Sequence, residues 1–148
     1  MKSSARRWRA FALLGFLCAQ VQAAVGAEPC KLLTADEVGK ALGGPISATT
    51  PLGTTACIWA SGAHRVNIVL RDAAAWSRLT MPIQGINKSP ISGIGDAAQV
   101  SDAGKEDAMT LSAKKGDHVI VLTVSGLNDR ERERSVAESL AKAALARF

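Results

Sequence analysis

The sequence predicts an α+β domain, a mainly antiparallel sheet flanked by a short N-terminal helix, a middle helix and a C-terminal amphipathic helix. Three observations carry that expectation. Thr34 and Glu37 form an S/T-x-x-E start signal ahead of an apolar stripe of helical spacing. Two stretches, ACIWASGAHRVNIVLR and AMTLSAKKGDHVIVLTVSG, alternate apolar and polar residues about short turns. The closing stretch repeats Val136, Ala137, Leu140, Ala144 and Leu145 along one helical face.

Taken in order, residues 1–27 read as a cleaved signal peptide. Lys2, Arg6, Arg7 and Arg9 precede the apolar run AFALLGFLCA, and VGA places small residues just before Glu28. That run is shorter than the roughly 20 residues of a membrane span, and no later segment replaces it, so the mature chain is expected to carry no integral membrane segment. Cys18 is not read as a lipid-anchor site, because GFLC lacks the small residue expected before a lipidated cysteine. Residues 28–148 then form a single domain of 121 residues, with no repeat, charge block or long linker to divide it. The expected address is the periplasm or the external medium.

Removing the signal changes the charge argument. Of 18 Lys and Arg and 13 Asp and Glu, four cations and no acids precede Glu28, which leaves 14 against 13. A net charge near +1 supplies no global field for phosphate backbones or anionic membrane surfaces, so no nucleic-acid partner is expected.

Cys30 and Cys57 are the cysteines that remain, and an even pair in an exported chain predicts a disulfide. Neither belongs to the C-x-x-C pairing of a reactive dithiol. His64 and His118 are the only histidines, and no ligand spacing links them to the cysteines, so no metal is expected. The staple joins the entry to the first helix with the first convincing strand.

In that first helix the Thr34 hydroxyl and the Glu37 carboxylate each satisfy an orphan backbone N–H, and Leu33 staples onto Val38. Val38, Ala41 and Leu42 form the apolar stripe, and Gly43-Gly44-Pro45 ends it. ACIWA then puts Cys57 and Trp59 on one face, while RVNIVLR turns Val66, Ile68 and Leu70 inward to complete a hairpin. The middle helix is read from DAAAWSRLTM, with Asp72 as cap, Ala73, Trp76 and Leu79 at helical spacing and Pro82 as the stop. In the second hairpin Met109, Leu111 and Ala113 alternate, a Lys-Gly-Asp turn follows, and Val119 to Val124 is apolar enough for a central strand. Asn128 with Glu131 is the expected cap of the last helix, whose opening DRERERS reads as a solvated face.

These pieces together resemble a group of small exported bacterial domains of unknown function, many of them lipoproteins. PCKLLTADEVGKALG, CIW, GIGDAA and LSAKKGDHVIVLTV match the group's pattern of Cys, Leu-Leu-Thr, Glu-Val, Leu-Gly, a second Cys with Trp two residues later, and Gly-x-Gly-Asp-x-Ala. The resemblance covers nearly all of the mature chain. It implies a Cys30–Cys57 bridge and a compact sandwich of the PsbP/Mog1 type, and it brings no reaction with it. The chain departs from the lipoprotein members in lacking a lipid-anchor cysteine.

Motifs of catalysis are weak. GIGDAA has the G-x-G-x-x-A form, but a dinucleotide site needs a strand before it and a helix N-terminus after it, whereas Pro90 and Ser92 precede and QVSDAGKE follows without helical periodicity. It reads as a glycine turn leading into a strand, with Asp96 bonded to its own loop, and no cofactor is expected. No G-x-S-x-G elbow and no carboxylate pair stand out. Arg65, Arg71 and His64, near the first hairpin, are the residues an enzyme or ligand carrier would use.

Residues 81–95, MPIQGINKSPISGIG, form the least conventional stretch. Ile83, Ile86, Ile91 and Ile94 are mixed with Pro and Gly without clear periodicity, over more residues than an ordinary connection. Either the isoleucines seal an edge of the sheet or some are exposed as a contact loop. Trp59 and Trp76 divide the same way, as core side chains or as half-exposed anchors. The expectation is an exported, non-catalytic module that binds an envelope protein or another extracytoplasmic partner. The alternative is a small ligand carrier or small periplasmic enzyme, with the loop as its lid.

Overall fold

The computed structural model describes residues 28–104 and 108–148. The expected signal peptide, 1–27, lies outside the described residues. After a 3₁₀ turn at Pro29–Lys31, the elements are α1 (Ala35–Leu42), β1 (Ala48–Leu52), β2 (Ala56–Ser61), β3 (His64–Asp72), α2 (Ala75–Thr80), β4 (Asn87–Ile91), β5 (Ala97–Asp102), β6 (Ala108–Lys115), β7 (His118–Ser125) and α3 (Arg130–Leu145). The fold is α+β.

The seven strands of the described residues form one antiparallel sheet in the order β1-β2-β3-β7-β6-β5-β4. Two meanders, β1 to β3 and β4 to β7, are joined by the pairing of β3 with β7. The apolar run 119–124 therefore lies in the middle strand, with Leu122 opposite Ile68 on one side and Leu111 on the other.

Strand alternation gives the sheet two unlike faces. One carries Trp59, Ile68, Leu111 and Leu122, all buried together with Val136, Leu140 and Leu145 of α3 and Val38 and Leu42 of α1. The opposite face runs through Asn67, Val121, Thr123, Ser112 and Gln99, and it is more polar because α3 does not cover it.

Local signals at the first helix act as read. Thr34 N–H donates to Glu37 Oε2 at 2.8 Å, Glu37 N–H donates to Thr34 Oγ1 at 3.2 Å, and Gly43 closes the helix at φ 83°. The Cys30–Cys57 disulfide ties the 3₁₀ turn to β2, with the two Cα atoms 5.1 Å apart. Arg147 then brings the far end of the chain to the same place, donating to Leu32 O at 2.7 Å and to both oxygens of Glu37.

Several local expectations are corrected. The strand that the glycine turn at 93–95 leads into is β5, whereas β1 and β4 are strands the sequence does not predict, and residues 81–95 are not one loop, since β4 lies inside them. β1 and β4 are edges with Pro51 and Pro90 in them, which suits an edge that must not pair further. The middle helix starts at Ala75, and Asp72 Oδ1 accepts from Ala75 N–H at 3.2 Å. The cap of α3 is Asp129, whose side chain accepts from Arg132 N–H at 3.1 Å, because Asn128 is in the left-handed region at φ 54°. Within the expected solvated face, Glu133 is buried and accepts from Leu127 N–H. Asp96 bonds outside its own loop, accepting from Gly116 N–H at 2.7 Å.

Candidate functional site

The segment between α2 and β4 makes the clearest binding feature of the described residues. Residues 81–86 form a strap over the face opposite α3. Ile83 and Ile86 form an isolated antiparallel bridge, Ile86 N–H donates to Ile83 O at 3.1 Å, and Gly85 at φ 81° supplies the left-handed residue that this tight turn requires.

Two side chains from the sheet pin the strap. Lys88 Nζ donates to Leu79 O at 2.6 Å and to Met81 O at 2.5 Å, and Gln99 Nε2 donates to Leu79 O at 2.7 Å. These are carbonyls at the C-terminal end of α2, where the helix has no further N–H to offer them. The register places Gln99 beside Pro90 and Ser112, and Lys88 beside Ser101, so strap and pins share the face opposite α3.

Beneath the strap lies a cleft of about 500 Å³, bounded by Trp76, Pro82, Ile83, Ile86 and Pro90 with the stems of Lys88 and Gln99. Ile83 is 51% exposed and Met81 57% exposed, while Trp76 and Ile86 are half-buried. Its aromatic and aliphatic walls, with one ammonium and one amide side chain among them, make a surface for apolar groups.

The four isoleucines separate. Ile94 is 2% exposed and belongs to the core, so it is not available for contact. Ile91 is half-buried against that core. Of the four, Ile83 and Ile86 line the cleft. Trp59 is a core side chain and Trp76 is the half-exposed one.

No catalytic constellation assembles from the residues read as alternatives. Arg65 and Arg71 stand on one face of β3 six positions apart, roughly 20 Å at strand rise, and His64 points to the other face. His118 stacks on Phe148 with ring centroids 4.5 Å apart. Among the described residues no group of three His, Cys, Asp or Glu could hold a metal ion. Two carboxylates are perturbed, both by arginines that do not line the cleft. The guanidinium of Arg147, then the N–H of Thr34, pulls Glu37 down to about 2, and Arg130 with the Gly104 N–H lowers Asp102.

Lys88, Gln99 and Met81 were not singled out in the sequence. NKSPI alone gives no sign that a lysine would turn back onto two helix-end carbonyls. Also among the described residues, no helix is long and apolar enough to cross a membrane. The chain matches no family model and no curated protein.

Proposed function

We propose that this is an exported, non-catalytic binding module whose contact surface is the 81–86 strap and the cleft it roofs. One observation carries the reading: the strap holds Met81 and Ile83 in solvent beside an apolar cleft, while Lys88 and Gln99 are bonded to carbonyls of the α2 end and the strap, Leu79 O and Met81 O. Exposed apolar groups fixed in place by such contacts are a surface for another molecule. The first partner on this reading is an envelope protein that covers Met81 and Ile83. Export with loss of residues 1–27 belongs to the same proposal, supported by the disulfide pair. So does membership of the exported domain group, with a sandwich of the PsbP/Mog1 type, supported by the α+β sheet and the Cys30–Cys57 staple.

Affinity capture with crosslinking from an envelope extract, using the oxidised full chain beside an Ile83→Ser/Ile86→Ser variant, tests this. One protein enriched by the native chain and lost with the variant is the expected result. The same protein captured equally by both would remove the strap from the interface.

A second reading, a carrier of a small ligand, has its own support in the cleft volume, which lies within the range of about 300–1,000 Å³ usual for small-molecule sites.

A further inference from the structure

The cleft beneath the strap carries a positive charge with no acid among the described residues to balance it. Lys88 lines the cleft and is half-buried, and both acceptors of its ammonium, Leu79 O and Met81 O, are neutral carbonyls. An ammonium has three hydrogens, so one donor and the whole charge remain. No described Asp or Glu lines the cleft.

Lys114 extends the same sign. It is the cross-strand partner of Ala97, which lines the cleft, and neither lysine forms an ion pair among the described residues. Four other cations are matched by acids, Lys31 with Glu28, Arg130 with Asp102, Arg134 with Glu138 and Arg147 with Glu37, whereas Lys88 stands among apolar walls. A cation beside apolar walls attracts an anion more strongly than one in bulk water does, because the surroundings screen it less.

We propose that the cleft binds a small apolar monocarboxylate, with its tail against Trp76, Ile83 and Ile86 and its carboxylate on Lys88. The inference rests on the cleft being the binding surface and develops the carrier reading. A small molecule fits better than a peptide. A peptide strand would extend the sheet along β4, where Pro90 has no N–H to donate.

Calorimetric titration of the oxidised full-length chain with decanoate, decanol, decyltrimethylammonium and an apolar tripeptide with a free C-terminus is the test. Decanoate should bind roughly tenfold more tightly than decanol, and the quaternary ammonium most weakly. Lys88→Met should abolish that preference while decanol affinity stays the same, which also shows that the cleft survives. Lys114→Gln should weaken decanoate by about twofold, an effect that disappears at high salt.

Equal affinity for decanoate and decanol would overturn the charge inference yet keep the cleft as a binding surface. No binding by any of the three chain probes would overturn the inference and leave the protein-partner reading to its own test. Tripeptide binding without decanoate binding would overturn it by placing the carboxylate on a partner chain. If Lys88→Met loses decanol as well, the strap has moved, and Lys88→Arg decides: retained preference for decanoate supports the proposal and lost preference overturns it.

Discussion

Arg147 grips Glu37 across the two ends of the domain, its Nη2 2.8 and 3.0 Å from the two carboxylate oxygens. The last residues of the chain are thereby fastened to the N-terminus of α1, close to the disulfide.

That pairing predicts acid sensitivity. Glu37 titrates at about 2 in the fold instead of about 4.5, chiefly through Arg147. A depressed folded value stabilises the fold above the unfolded value, and the contribution is lost as pH falls from about 5 toward 2. About a third of each side chain remains exposed, so solvent screening holds the effect to about 1 kcal/mol. Urea unfolding of Arg147→Ala should show that deficit at pH 7 on top of the lost bond to Leu32 O, and only the pH-independent remainder near pH 2.

How much of this was legible follows from burial. α1 was readable because its signals are local: Thr34, Glu37 and Gly43 lie within ten residues. β7 was readable because a middle strand is apolar on both sides. β1 and β4 were not, since an edge strand with no fully buried residue has no alternation to show, and β5 was legible only through the glycine turn before it, because a buried Gln99 breaks its apolar pattern. The cleft was half legible. Ile83 and Ile86 stood out as apolar residues among turn formers, but Lys88 acquires its role only when Leu79 and Met81 are folded back over it.

Gly39 gives a prediction opposite to helix propensity. Glycine to alanine in a helix ordinarily stabilises by about 1 kcal/mol. Here the new Cβ would stand 2.9 Å from Gly44 O, a backbone atom that cannot swing aside. Gly39→Ala should therefore lower the midpoint of thermal unfolding, and a raised midpoint would show that the 43–46 turn yields easily.

Ile94 and Ile83 should separate stability from contact. Ile94→Ala removes a core side chain and should destabilise by about 2–4 kcal/mol, whereas Ile83→Ala should stay within about 0.5 kcal/mol. Denaturant melts of the two variants side by side make the comparison. A large loss at Ile83 would turn the strap into core packing.

Asn67 sits in mid-sheet between Ile58 and Thr123 on the face shared with the strap, and its Oδ1 is shielded from solvent without a hydrogen-bond partner among the described residues. Replacing it with valine should stabilise by about 1 kcal/mol, because the change removes a shielded unpaired acceptor and lets two methyl groups pack on the sheet instead. Equilibrium unfolding reads this directly, and a net loss would mean that the amide is satisfied in solution.

The disulfide closes a separation of 27 residues, and its removal should cost about 3–4 kcal/mol on the chain-entropy account. Unfolding of Cys30→Ser/Cys57→Ser beside the oxidised native chain gives the figure; a loss below about 1 kcal/mol would mean that the Arg147 clasp alone holds the entry.

Photocrosslinking in living cells, with a photoreactive residue in place of Ile83 and, separately, of Lys142, exposed on α3, shows whether the strap meets a partner. A strap that binds an envelope protein gives one discrete protein adduct from position 83 and none from position 142. Adducts from position 142, or none from either, would contradict it.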